Sequence, residues 1–185
     1  MTRVFIDTNV IIMFPFLDHP DAFIPEGEER VRFVITSSVL RELERIKDEH
    51  FSKGLRTRAT RAISLLDCEQ SQEAIELTQR SYLAYRYGEP DSSARQYLGA
   101  TGNVPYEMFI ATIKEIMGHS KCPFYVMSDD VGVRVRAKHI RGVKRILRPP
   151  GDRYALEEYN LPQVVKAIIK ELAKEIAVEM REPAE

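Results

Sequence analysis

Five carboxylates fall where a strand should end or a helix begin: Asp7, Glu42, Glu107 and the neighbours Asp129 and Asp130. Asp7 interrupts the apolar run Val4-Phe5-Ile6 to Val10-Ile11-Ile12, which reads as a buried strand delivering a carboxylate to its C-terminal end. A charge in such surroundings is costly unless a cation pairs with it. Asp129 and Asp130 close a second apolar run, Pro123 to Met127, in the same way. Carboxylates brought to one rim form a hard-oxygen site, the type that holds Mg²⁺ or Mn²⁺. No histidine or cysteine is spaced for zinc. Each acid also has a bland reading. Asp7, Asp129 and Asp130 could cap helices, Glu107 could complement a helix dipole, and Glu42 could pair with Arg45. The metal reading rests on their convergence.

Convergence requires a particular arrangement of elements. The opening strand ends in Asp7, and Met13 to Glu29, with Pro15, Pro20, Pro25 and Gly27, predicts a short helical piece and a surface loop. A second strand over Val31–Thr36 leads into a helix capped by Ser37 or Ser38, with Val39, Leu43 and Ile46 on its apolar face. A helix from Leu55 to Leu66 buries Leu55, Ala59, Ala62, Ile63 and Leu66 and presents Arg56, Arg58 and Arg61 outward. Residues 74 to 78 suggest a short strand, Ser81 to Tyr87 is aromatic without a clear type, and Gly88 to Asn103 reads as a long irregular segment. Pro105 opens a helix stopped by Gly118. A short helix follows Asp130 through about His139, and Val143 to Leu147 is a further strand. Asn160 to about Met180 reads as a long amphipathic helix. The alternation predicts an α/β fold, a three-layer α/β/α arrangement with a mostly parallel central sheet. Right-handed crossovers would place the C-terminal ends of its strands on one edge. Residues 1–150 form the expected domain, and 151–185 a helical extension packed on it or on a second copy.

Composition narrows the class. At 185 residues, with 44% hydrophobic and 30% charged positions, the chain suits one soluble globular domain. Lys and Arg total 27 against 28 Asp and Glu, so any attraction for a polyanion must be local. Two distant cysteines, Cys68 and Cys122, point to a reducing compartment, no signal peptide is read and no segment suits a bilayer span, so a cytoplasmic protein is expected.

Four motifs in order resemble those of PIN-domain nucleases: Val4-Phe5-Ile6-Asp7-Thr8-Asn9-Val10, Val39-Leu40-Arg41-Glu42-Leu43, Glu107-Met108-Phe109-Ile110-Ala111-Thr112 and Val126-Met127-Ser128-Asp129-Asp130. The Asp-Thr-Asn motif is fairly specific and the second motif weak alone. The likeness covers roughly residues 3 to 147 and is closest to PIN domains fused in front of PhoH-type ATPases, through Asp130 to Ala137. No ATPase follows, so a stand-alone protein is expected. The resemblance implies that Asp7, Glu42, Glu107 and Asp130 are the catalytic, metal-binding acids, with Asp129 an extra ligand, and that Asn9 and Ser128 brace them. One position departs. The third acid of the family is usually Asp, and Glu107 stands there with an extra methylene of reach.

In this reading one or two Mg²⁺ or Mn²⁺ ions activate water for attack on a phosphodiester. Val131 to Arg148 holds seven basic residues and no acid, which would offset the acids' repulsion of a polyanion. Arg134, Arg136 and Lys138 on that side, with Arg56 and Arg58 on the other, are the expected phosphate contacts. A solvated basic face is the plain alternative. Tyr82, Tyr85 and Tyr87 could stack bases or simply pack. The resemblance favours single-stranded RNA as substrate, an endoribonuclease as function and a homodimer as assembly. Two alternatives stand beside it: a PIN-like scaffold that binds RNA or protein without cutting, for which Glu107 speaks, and the toxin of a toxin and antitoxin pair, for which the chain is long. Haloacid-dehalogenase-type phosphatases need a second Asp two residues after the first, where this chain has Asn9.

Overall fold

The structure, a computed structural model, describes residues 1–67, 74–88, 105–118 and 122–154, all within one compact unit, Met1–Tyr154. In chain order its elements are β1 (Thr2–Ile6), α1 (Thr8–Met13), a 3₁₀ turn (Pro20–Phe23), β2 (Val31–Thr36), α2 (Ser37–Glu49), α3 (Lys53–Asp67), β3 (Ile75–Glu76) and β4 (Ser81–Arg86). There follow α4 (Pro105–Met117), β5 (Phe124–Met127), α5 (Val131–Ala137) and β6 (Val143–Leu147). The strands form one sheet in the order β3-β4-β2-β1-β5-β6, parallel throughout except for the short β3 beside β4. This is the expected three-layer α/β/α arrangement.

β1 is the hinge of the layout because it pairs with β2 on one side and β5 on the other. Val4, Phe5 and Ile6 are wholly buried, as befits a strand covered on both faces. Register sets Ile6 opposite Met127, so the next residues, Asp7 and Ser128, emerge side by side at the C-terminal edge. The Asp7 amide donates to the Met127 carbonyl at 3.1 Å, and the Ser128 amide to the Leu147 carbonyl at 3.2 Å. Beneath that edge Phe5 meets Phe124 edge to face at 5.4 Å.

Several local expectations are corrected. The helix after β1 starts at Thr8, not Met13. Val10, Ile11 and Ile12 are buried as a helix, and a short apolar run does not distinguish that from a strand. The segment after it is no surface loop throughout. Phe14, Phe16 and Phe23 enter the core, with Phe16 edge-on to Phe23 and Phe33. Thr36 caps α2, its hydroxyl accepting from the Val39 amide at 3.4 Å, while the Ser37 hydroxyl donates to the Gly88 carbonyl. Of the five apolar residues expected inside α3, Leu55, Ala59 and Ala62 are buried, and Ile63 and Leu66 are half-buried. Ser81 to Arg86 is a strand paired with β2 along its full length.

Most of the long segment read between Gly88 and Asn103, and the helix read from Asn160, lie outside the described residues. Among the described residues no helix is long and apolar enough to cross a membrane.

Candidate functional site

Asp7 sits at the N-cap of α1 and is 7% exposed. Its carboxylate is held from three sides. Oδ1 accepts from the Thr8 amide at 2.8 Å, and Oδ2 accepts from Asn9 Nδ2 at 2.7 Å and from the Ser128 hydroxyl at 2.6 Å. Asn9 also reaches forward, its Oδ1 accepting from the Asp129 amide at 3.1 Å. Asn9 and Ser128 thus stitch the end of β1 to the loop after β5 and orient Asp7 between them.

Burial pushes the Asp7 carboxyl up to about 6 from an ordinary 3.8. The Ser128 hydrogen bond opposes that rise, the Glu42 carboxylate adds to it, the Thr8 amide opposes it and Asp130 adds to it. Two of the predicted acids therefore bear on Asp7 directly.

Glu42 comes from α2 and is half-buried. Its Oε2 accepts from the Thr8 hydroxyl at 2.6 Å, which ties α2 to the start of α1, and its Oε1 stands 3.9 Å from Arg45. Asp130 is exposed and caps α5, its Oδ1 accepting from the Gly132 and Val133 amides. Capping fixes this carboxylate at the edge and engages one of its two oxygens. Asp129 is pulled elsewhere. Arg153 donates to its Oδ2 at 2.8 Å through Nε, and Arg134 stands 3.9 Å from its Oδ1.

Glu107 lies buried in the first turn of α4. Its Oε1 is 3.8 Å from Arg136, and its Oε2 is buried without a hydrogen bond from any described residue. Such an oxygen is costly to leave alone.

Among the described residues, no three His, Cys, Asp or Glu side chains are close enough to enclose an ion as they stand. The acids are shared out among caps, a hydroxyl and arginines. Their donor chemistry nevertheless fits a hard divalent cation. Asp7 is a buried carboxylate with two acidic neighbours, Glu107 carries an orphaned buried oxygen, and every donor is oxygen.

The predicted phosphate contacts divide. Arg134 is only 14% exposed and donates through Nη1 to the Ser128 carbonyl at 3.1 Å and to the Asp129 carbonyl, so it buttresses the acid loop. Arg136 reaches Glu107. Arg56 donates to the His50 carbonyl at 2.7 Å, and Arg58 lies over the Tyr154 ring at 4.2 Å. Lys138 is exposed. The roles of Thr8 and Arg153 were missed by sequence reasoning. Thr8 could have been found from its place beside Asp7, whereas nothing in the sequence joins Arg153 to Asp129.

A family model described as a PIN domain matches residues 4–144, a span that includes Asp7, Glu42, Glu107 and Asp130. No curated protein matches the chain.

Proposed function

The chain belongs to the PIN-domain family, and from that premise we propose that it is a divalent-metal-dependent endoribonuclease that hydrolyses phosphodiesters of single-stranded RNA in the cytoplasm. The observation that carries the reading is Asp7, a buried carboxyl raised to about 6 with Glu42 and Asp130 as charged neighbours. A buried carboxyl shifted that far beside two other acids marks a functional-site candidate.

Asp7, Glu42, Glu107 and Asp130 would hold Mg²⁺ or Mn²⁺, with Asp129 alongside. Such a cation would supply Lewis-acid polarisation of the phosphodiester and stabilise charge on the leaving oxygen. The chain's own residues do the positioning. Asn9 and Ser128 fix the rotation of Asp7, Thr8 tethers Glu42, and Arg134 holds the carbonyls that lead into Asp130. A metal ligand held by outer partners loses affinity when they are removed.

The test is hydrolysis of single-stranded RNA with Mn²⁺, with and without chelator. Wild type should cut and chelator should stop it. Asp7→Asn should slow the reaction at least about 100-fold, the upper end of what even a bracing residue costs, and Ser128→Ala about 10- to 100-fold. A wild-type protein that binds RNA but leaves it intact sinks the nuclease reading. The second reading, a non-cutting RNA-binding scaffold, would then hold. It is favoured by Glu107, whose longer side chain meets Arg136.

A further inference from the structure

A groove of about 350 Å³ opens between α5 and β6, lined by Val131, Arg134, Val135, Lys138, Ile146 and Arg148. Its volume lies at the lower end of the range for small-molecule sites, about 300 to 1,000 Å³. Val131 and Val135 are 63% and 50% exposed and stand one helical turn apart, so they form a continuous apolar wall. Single exposed valines need no explanation. Two stacked beside a groove whose lining includes three cations and no acid do.

The cations are not equivalent. Arg134 is engaged with the Ser128 and Asp129 carbonyls, whereas Lys138 and Arg148 are exposed and make no ion pair with another described residue. Val131 directly follows Asp130, so the groove begins where the acid edge ends. Apolar wall, open cations and adjacency to the acids together suit one kind of occupant.

We propose that this groove is a nucleotide subsite, which takes one base of single-stranded RNA against Val131 and Val135 while Lys138 and Arg148 hold the flanking phosphates. It deepens the nuclease reading and rests on it. The wall has little to offer a base edge, so the subsite would grip any base and read none. An acidic peptide would satisfy the cations, but nothing would place it beside Asp130.

Binding of a labelled single-stranded RNA of about ten nucleotides, followed by anisotropy in chelator, separates binding from cutting. Lys138→Ala/Arg148→Ala should weaken binding about 10-fold and reduce the salt dependence by one to two phosphate contacts, roughly 0.7 to 1.4 in slope. Val135→Ser should weaken binding several-fold yet leave affinity for an abasic oligonucleotide of equal length unchanged. Lys47→Ala, a surface cation of α2, should bind as wild type does. If the groove variants bind RNA normally but change self-association by light scattering, the subsite is wrong and the face meets protein. Should those variants behave normally while wild type still cuts, the subsite alone falls. If wild type neither binds RNA here nor cuts it with Mn²⁺, the subsite and the nuclease reading fall together.

Discussion

Asp7 carries a tension that can be measured. Its three hydrogen bonds favour the charged form, but burial and the two neighbouring acids outweigh them and leave the carboxyl near 6 instead of 3.8. Between those values the folded chain keeps a proton that the unfolded chain releases. The resulting stability is fully present below 3.8 and is lost as pH rises through about 6. A displacement of that size corresponds to about 3 kcal/mol at most. In chelator, wild type should therefore unfold at lower urea at pH 8 than at pH 5, and Asp7→Asn should flatten the difference. That window is chosen because Glu28, held down to about 2 by Lys144, Thr2 and Tyr125, acts in the opposite sense only below 4.5. Added Mn²⁺ should raise the melting temperature of wild type at pH 8, by binding the folded state alone, and should do little for Asp7→Asn. A wild-type protein indifferent to both pH and Mn²⁺ would remove the argument that this carboxylate awaits a cation.

α5 shows how a cap and a ligand can be the same residue. Asp130 accepts from two amides at the start of the helix, so Asp130→Ala should cost about 1 kcal/mol through the lost cap. Asp130→Asn keeps a capping oxygen and removes the charge. It should stay within about 0.5 kcal/mol of wild type while losing Mn²⁺-dependent cleavage. Wild-type cleavage by Asp130→Asn would make Asp130 a cap and nothing more. The same residue shows what was legible beforehand. A run of apolar residues ending in Ser-Asp-Asp announces a strand and an acidic edge, and parallel pairing of β5 with β1 then brings Asp130 toward Asp7. Thr8 to Met13 was less legible because a helix buried on most sides has no polar stripe to show its period. β4 was obscure because its partner β2 is 50 residues away in Val31↔Ser81, and pairing leaves little local mark. The arginines were least legible of all. A long cationic side chain selects its partner in three dimensions, so Arg134 on two carbonyls and Arg136 on Glu107 look identical in sequence.

The two ends of the sheet are closed by different means. At the end away from the acids, Glu28 accepts from the Thr2 hydroxyl, the Tyr125 hydroxyl at 2.8 Å and Lys144 at 2.8 Å, which clasps β1, β5 and β6. At the acid edge the chain leaves β6 and returns to the other side of the unit. Arg153 pairs with Asp129, the Tyr154 amide donates to the Met13 carbonyl at 2.7 Å, its hydroxyl donates to Asp18 at 2.6 Å, and its ring lies under Arg58. Residues 149–154 therefore act as a strap from β6 to α1 and α3, and a domain ended at residue 150 would cut through it. A chain of residues 1–154 should keep the strap and unfold cooperatively. A chain of residues 1–148 loses two hydrogen bonds, a cation–π contact and a surface ion pair, about 2 to 3 kcal/mol in all. Tyr154→Phe in the full chain isolates the hydroxyl and should cost about 1 kcal/mol. Urea unfolding of the three proteins decides the matter, and equal stability of the 1–148 and 1–154 chains would show that the strap lies on the fold without holding it.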